Sequence, residues 1–144
     1  LMHMQGEPLT MQAAPHYDDV VGEVNRFLGE RVAILVDAGV ARERIVLDPG
    51  FGFGKTLEHN AALFRALPAM RKTLGCPLLV GVSRKTMLGQ ITGRSVGERM
   101  AASIAAAVLA AQAGAAVIRV HDVAETVDAL KARIAELERQ LAAR

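Results

Sequence analysis

Asp48-Pro49-Gly50-Phe51-Gly52-Phe53-Gly54-Lys55 follows the apolar run Ile45-Val46-Leu47 and precedes a segment with helical periodicity. A buried strand that ends on a carboxylate, turns through glycines and enters a helix is one βα unit. Asp-Pro-Gly is turn chemistry. A carboxylate at the rim of an apolar strand also needs a partner or water. Asp48 therefore suits either a turn or a ligand edge carrying two donors. The glycines suggest a nucleotide loop, but the spacing refuses it. A phosphate loop needs four residues between its first glycine and Gly-Lys-Thr, and counting back from Gly54-Lys55-Thr56 lands on Pro49. The dinucleotide fingerprint also fails, because no glycine follows Gly52 or Gly54 at the required distance. The loop instead brings Phe51 and Phe53, two of the chain's four phenylalanines, to a strand end. They would make an aromatic wall for a flat ligand.

The same unit recurs on either side. Strand-like runs cover Leu1 to Met4, Ile45 to Asp48, Leu78 to Val82 and Ala116 to Val120, each apolar on both faces as buried parallel strands are. The first helix is expected from Asp18, as N-cap, to Ala38, with the stripe Val21, Val24, Leu28, Val32 and Leu35 and a stop at Gly39. The second runs from Glu58 to Leu74, with a kink or restart at Pro68. The third begins at the capping-box pattern Ser95-Val96-Gly97-Glu98 and ends at Gly114. The fourth follows Asp122 and carries Val123, Val127, Leu130, Ile134, Leu137 and Leu141 as one stripe. That stripe is expected to pack on the barrel, with a partner helix as the other use.

Four βα units in roughly 35 to 45 residues each mean a parallel sheet with right-handed crossovers. The fold class is α/β: an open doubly wound sheet or part of a (β/α)8 barrel. A whole barrel takes about 250 residues, so 144 residues correspond to half of one. The chain opens inside a strand pattern, which predicts that it begins partway through a larger protein. Half of its residues are apolar, enough for a real core, and a net charge of +2 argues neither for nucleic acid nor for an acidic membrane surface. No apolar stretch approaches the length of a membrane span, and no signal-peptide pattern stands at the start. The single cysteine, Cys76, excludes an internal disulfide, fits a reducing cytoplasm and reads as a small buried filler.

In a barrel, chemistry gathers where strands exit. The first exit, Met2-His3-Met4-Gln5-Gly6, alternates faces, so Met2 either lines a pocket or packs, and His3 reads as a core histidine. The third exit, Gly81-Val82-Ser83-Arg84-Lys85-Thr86, ends on two adjacent cations that suit solvent, an ion pair, an oxyanion or a ring carbonyl. The fourth, Arg119-Val120-His121-Asp122, puts Arg119 and His121 on one strand face. With Lys85 they would form an anion site; the structural alternative for Arg119 is an ion pair with Asp48 or Asp122. Such a pocket suits a flat heterocycle bearing phosphate or diphosphate.

These exits, in this order and spacing, resemble the fifth to eighth strand motifs of dihydropteroate synthase. The residues are Met2 to Gly6 with Pro8 and Thr10-Met11-Gln12, then Asp48 to Lys55, Leu79 to Lys85, and Ile118 to Val123. The resemblance covers essentially the whole chain. It implies a (β/α)8 TIM barrel of which only the last four units are present, residues 1–144 being the C-terminal half. It implies condensation of a 7,8-dihydropterin diphosphate with p-aminobenzoate to 7,8-dihydropteroate and diphosphate, in the cytoplasm, with sulfonamides competing for the p-aminobenzoate site. By resemblance Asp48 holds the 2-amino and ring N–H edge of the pterin, and Met2, Phe53, Gly81 and Val120 line the pocket. Lys85 bonds the pterin and borders the p-aminobenzoate site, and Thr86 stands near that substrate's carboxylate. Arg119 stacks on the pterin, and Arg119 and His121 bind the leaving diphosphate. The resemblance also implies Mg2+, with its protein ligand outside these residues, and a homodimer through the late helices. The isolated chain is expected to lack turnover. Two other readings stand beside this one. A methyltetrahydrofolate-type methyltransferase domain would share the aspartate but have no diphosphate to anchor. A non-catalytic fragment could self-associate through the Ala-rich third helix.

Overall fold

The computed structural model describes residues 1–143. Five helices are joined to short parallel strand segments: α1 (Val20–Asp37), α2 (Leu57–Leu74), α3 (Thr86–Thr92), α4 (Met100–Gln112) and α5 (Val123–Ala142), with α3 and α4 following one strand exit together. Strand β1 (Leu79–Val80) pairs in parallel with β2 (Val117–Ile118). Parallel bridges Met2–Asp48 and Leu47–Leu78 add the two earlier segments. Their bonds are continuous from one segment to the next: Asp48 N–H donates to Leu1 (2.7 Å), Leu79 N–H to Leu47 (2.7 Å) and Arg119 N–H to Val80 (2.9 Å). Each segment thus lies beside its neighbour in sequence and the order never reverses, which is barrel winding and not a doubly wound sheet.

Alternation along the segments sorts their side chains. Leu47, Leu78, Val80 and Val82 are buried, beside the inward stripes of the helices: Val20, Val24, Leu28 and Val32 of α1, and Leu63, Leu67, Met70 and Leu74 of α2. Ala106, Ala107 and Ala110 of α4 add small, close-packing surface. The opposite set, Val46 and Asp48, Leu79 and Gly81, then Val117 and Arg119, faces the other way. Val117 is 42% exposed there.

Several local expectations are corrected. Asp19, not Asp18, caps α1, accepting the Gly22 N–H at 3.0 Å. Pro68 stands inside α2 without ending it, since four buried apolar side chains, Leu63, Leu67, Met70 and Leu74, anchor that helix to the core. The Ser95–Glu98 capping box forms, but on a 3-10 turn (Val96–Glu98), and α4 starts only at Met100. Helix α3, seven residues long, is too short to display a periodic stripe and was not anticipated. The α5 stripe is mostly uncovered: Val123, Val127, Ile134, Leu137 and Leu141 are exposed, Leu130 is half-buried, and only Thr126 of that helix is buried. The apolar layer that would bury them is not supplied by the described residues.

Candidate active site at the strand exits

The loop after Leu47 is built by its own polar groups. Asp48 Oδ1 accepts the Gly50 N–H at 2.8 Å, so the turn reading of Asp48 is correct. Gly50 has φ 72°, and a Cβ there would overlap the His3 carbonyl oxygen. Only glycine fits. Lys55 returns from the end of the loop into its interior. Its Nζ donates to Gly50 O (2.9 Å) and Phe53 O (3.1 Å) and faces His3 Nδ1 at 3.0 Å. Burial is the main reason its pKa drops to about 8. His3 is a satisfied core histidine, as expected. Burial, then the Lys55 charge, lowers it to about 4, so it stays neutral and accepts. Asn60 receives the Gly52 N–H at 2.8 Å, and the Tyr17 hydroxyl donates to Gly54 O at 3.0 Å. Lys55, Asn60 and Tyr17 were missed as site-building residues. The signal available for Asn60 was a polar residue on the inward side of an amphipathic helix.

Of the two phenylalanines, Phe51 is fully buried and meets Phe64 edge-on at 5.9 Å between centroids. It belongs to the core, correcting the paired aromatic wall. Phe53 alone stays available, with Lys85 Nζ 4.2 Å from its ring centroid, a cation–π distance. Lys85 also donates to the Phe51 carbonyl. Burial, together with the nearby Arg119 charge and against the pull of Asp48, holds Lys85 down to about 8.

Asp48 Oδ2 pairs with Arg119 Nη2 at 3.2 Å. The guanidinium crosses Gly81, where a Cβ would stand 2.8 Å from Arg119 Nη2. Thus the ion-pair alternative for Arg119 is the one formed. His121 is exposed but oriented: Ser83 Oγ accepts its N–H (3.2 Å) and faces its Nδ1 (3.0 Å). Lys85, Arg119 and His121 are therefore gathered at neighbouring strand ends, each held by a different partner: Phe51, Asp48 and Ser83. Thr86 is exposed at the start of α3, Met2 is 39% exposed beside Asp48, and Val120 is half-buried.

A cleft of about 970 Å3 opens beside these residues, lined by Phe53, Lys85 and Thr86 together with Gln12, Gln90 and Arg99. Asp48, Gly81, Arg119 and His121 lie outside its lining. Among the described residues no three His, Cys, Asp or Glu side chains cluster to hold a metal ion. Both Asp48 oxygens are engaged, Oδ1 by the Gly50 N–H and Oδ2 by Arg119. No described helix is long and apolar enough to cross a membrane.

A carboxylate, a lysine stacked on an aromatic ring and an arginine thus stand on successive strand exits. Residues 1–121 match the pterin binding enzyme family, and the chain belongs to that family. It is 54% identical over 131 residues to dihydropteroate synthase of Escherichia coli (strain K12), covering 91% of this chain and 46% of that relative. A crystal structure of dihydropteroate synthase from Stenotrophomonas maltophilia with active site-bound imidazole superposes with TM-score 0.90 at 54% identity, over 94% of this chain and 51% of that one. The Xanthomonas albilineans dihydropteroate synthase in complex with 7,8-dihydropteroate gives TM-score 0.87 at 50% identity, over 95% and 48%. The chain spans about half the length of the curated relatives it matches. With these neighbours the winding is that of a partial (β/α)8 barrel carrying four βα units.

Proposed function

We propose that these residues form the late-strand half of a dihydropteroate synthase site, residues 1–144 being the C-terminal half of a pterin-binding barrel. The observation that carries this reading is the Asp48–Arg119 pair across Gly81, beside Lys85. A pterin edge presents an amino group and a ring N–H side by side, which matches a carboxylate. When it docks, Asp48 Oδ2 exchanges Arg119 for the pterin donors. Arg119 is then released to stack on the ring and, with His121, to meet the diphosphate. The carboxylate is never left buried without a partner, so the exchange avoids the cost of an unpaired charge.

The chemistry follows from charge. As the C–O bond to the diphosphate breaks, positive charge grows on the pterin methylene and negative charge on the leaving group. The amine of p-aminobenzoate forms the new C–N bond and loses a proton. Fixed cations aimed at the leaving group stabilise the second charge, and the electron-rich ring the first. Phe53, Lys85 and Thr86 border the p-aminobenzoate, and hence the sulfonamide, side; the adjoining cleft supports that assignment. Met2, Gly81 and Val120 line the pterin side. Mg2+ belongs to the same proposal only with ligands outside these residues. So do a homodimer through the late helices, favoured by the exposed Leu109 and α5 stripe, and a cytoplasmic location, favoured by the lone buried Cys76.

The test joins this chain to the N-terminal half of the Escherichia coli relative and measures dihydropteroate formed from the pterin diphosphate and p-aminobenzoate. Turnover is expected from the joined protein and not from the isolated chain. A folded joined protein that neither turns over nor binds pterin refutes the reading.

A further inference from the structure

Arg84 and Lys85 are neighbours in sequence, yet the structure sends their side chains to different places. Lys85 turns toward Phe53 and the Phe51 carbonyl. Arg84 turns away, to Asp122, with Nε 3.2 Å from Oδ2 and Nη2 bonded to Oδ1. Asp122 is spent on this contact: it stands at the N-cap of α5 without making a side-chain cap bond. The divergence comes from the backbone. Arg84 is the one non-glycine residue with positive φ, 57°, among the described residues. That conformation disfavours a residue with a Cβ and persists only where its surroundings impose it.

Here three contacts impose it. The Arg84 N–H donates to Ser103 Oγ on α4 at 2.9 Å. Its carbonyl accepts from Arg99 Nη1 at 3.0 Å. Its guanidinium is held by Asp122. Arg99 reaches that carbonyl through space left by Gly89, where a Cβ would collide with its guanidinium. Ser103, Arg99 and Asp122 come from α4, the turn before it, and the exit of β2. All converge on one residue at the exit of β1.

We infer that Arg84 is a positioning residue: it clamps the exit of β1 to the exit of β2 and thereby aims Lys85 and His121 at a common ligand. The left-handed kink at 84 sets the direction in which Lys85 leaves, and the bond to Asp122 fixes the residue that follows His121. The ligand's identity rests on the synthase reading; the clamp itself does not.

The variants are Arg84→Gly, which tolerates positive φ but removes the guanidinium, Asp122→Asn, their double, and the swap Arg84→Asp with Asp122→Arg. In the joined synthase described above, each single variant is expected to lower kcat/KM at least tenfold. The double should be no worse than the weaker single, and the swap should recover part of the loss. A second readout needs no activity: NMR titration of the Lys85 side chain, which faces Asp48 and Arg119 as well as Phe53. Released from the clamp, Lys85 should titrate closer to an ordinary lysine in each single variant. If Arg84→Gly fails to fold, Arg84→Lys takes its place, with the same shift expected in smaller size. A kcat/KM within threefold of the parent and an unmoved Lys85 titration overturn the clamp. Absence of turnover in the unsubstituted joined protein counts against the synthase reading instead, and the Lys85 titration then decides the clamp alone.

Discussion

Asp48 and Arg119, 71 residues apart in sequence, pair at 3.2 Å by reaching across Gly81 on the strand between them. Three successive strand segments contribute one residue each to this arrangement, all on the same face. The glycine in the middle leaves the lane through which the guanidinium passes. The arginine side chain is 54% exposed and the carboxylate only 10%, so the carboxylate is fixed and the arginine is the member free to leave.

Asp48→Asn should therefore act on binding more than on folding. The ion pair is half open to solvent, and its loss is expected to cost less than about 1 kcal/mol of stability. A charge-assisted ligand bond is worth about 1.5 to 3 kcal/mol, so pterin affinity should fall roughly tenfold to a hundredfold. Calorimetric titration of a pterin into both proteins measures it; equal affinities would remove Asp48 from the site.

Gly81→Ala tests the lane. The atoms that the new Cβ would meet are the far end of Arg119, which can swing outward. Arg119 then loses its bond to Asp48, and the buried carboxylate left without that partner should cost about 1 to 3 kcal/mol of stability. A crystal structure of the variant should show the guanidinium displaced. An unmoved Arg119 would mean that the lane is not needed.

Gly50→Ala should be far more harmful than Gly39→Ala, although both glycines have positive φ, 72° and 90°. Each substitution meets the left-handed penalty of about 1 to 2 kcal/mol. At Gly39 nothing lies within 4 Å of the added Cβ, whereas at Gly50 it meets the His3 backbone. Urea unfolding of the two variants should separate them by more than about 1 kcal/mol; matched midpoints would show that the loop can shift away from His3.

The buried His3–Lys55 contact gives a pH signature. Burial and the Lys55 charge hold His3 down from 6.5 to about 4. Between those values the unfolded chain binds a proton that the folded chain refuses, so stability falls as pH drops from 6.5 to 4. Burial likewise lowers Lys55 from 10.5 to about 8. In that window the unfolded chain keeps a proton that the folded chain has released, so Lys55 makes stability rise with pH from 8 to 10.5. His3→Asn offers an oxygen to Lys55 without titrating in the acid window. Denaturation midpoints followed from pH 7 to 4.5 should fall less steeply in this variant; an identical slope would exclude His3 as the source.

The parallel order of the segments, the four long helices and the strand exits were legible in the sequence; the seven-residue α3 was not. They follow from periodicity and from glycine and cap residues, which act within a few positions along the chain. The segment from Asp48 to Lys55 announced a strand exit, a tight turn and a carboxylate on local grounds alone. Its failure as a phosphate loop was equally a matter of spacing. What spacing could not reveal is which side chains meet between segments. Phe51 and Phe53 look equivalent in sequence, but the loop's backbone turns one into the core and leaves the other at the cleft. Arg84 and Lys85 look like one cationic pair, but a positive φ imposed by Ser103, Arg99 and Asp122 parts them. Lys55 enters the sequence argument only through the failed phosphate-loop spacing; in the structure the carbonyls of Gly50 and Phe53 surround its ammonium. Arg119 had two possible partners in sequence; the strand order and the absence of a side chain at Gly81 chose Asp48. Local pattern determines the elements, because it depends on the chain's own near neighbours. The tertiary structure decides the pairings, because a buried charge takes whichever partner the packed backbone brings within reach.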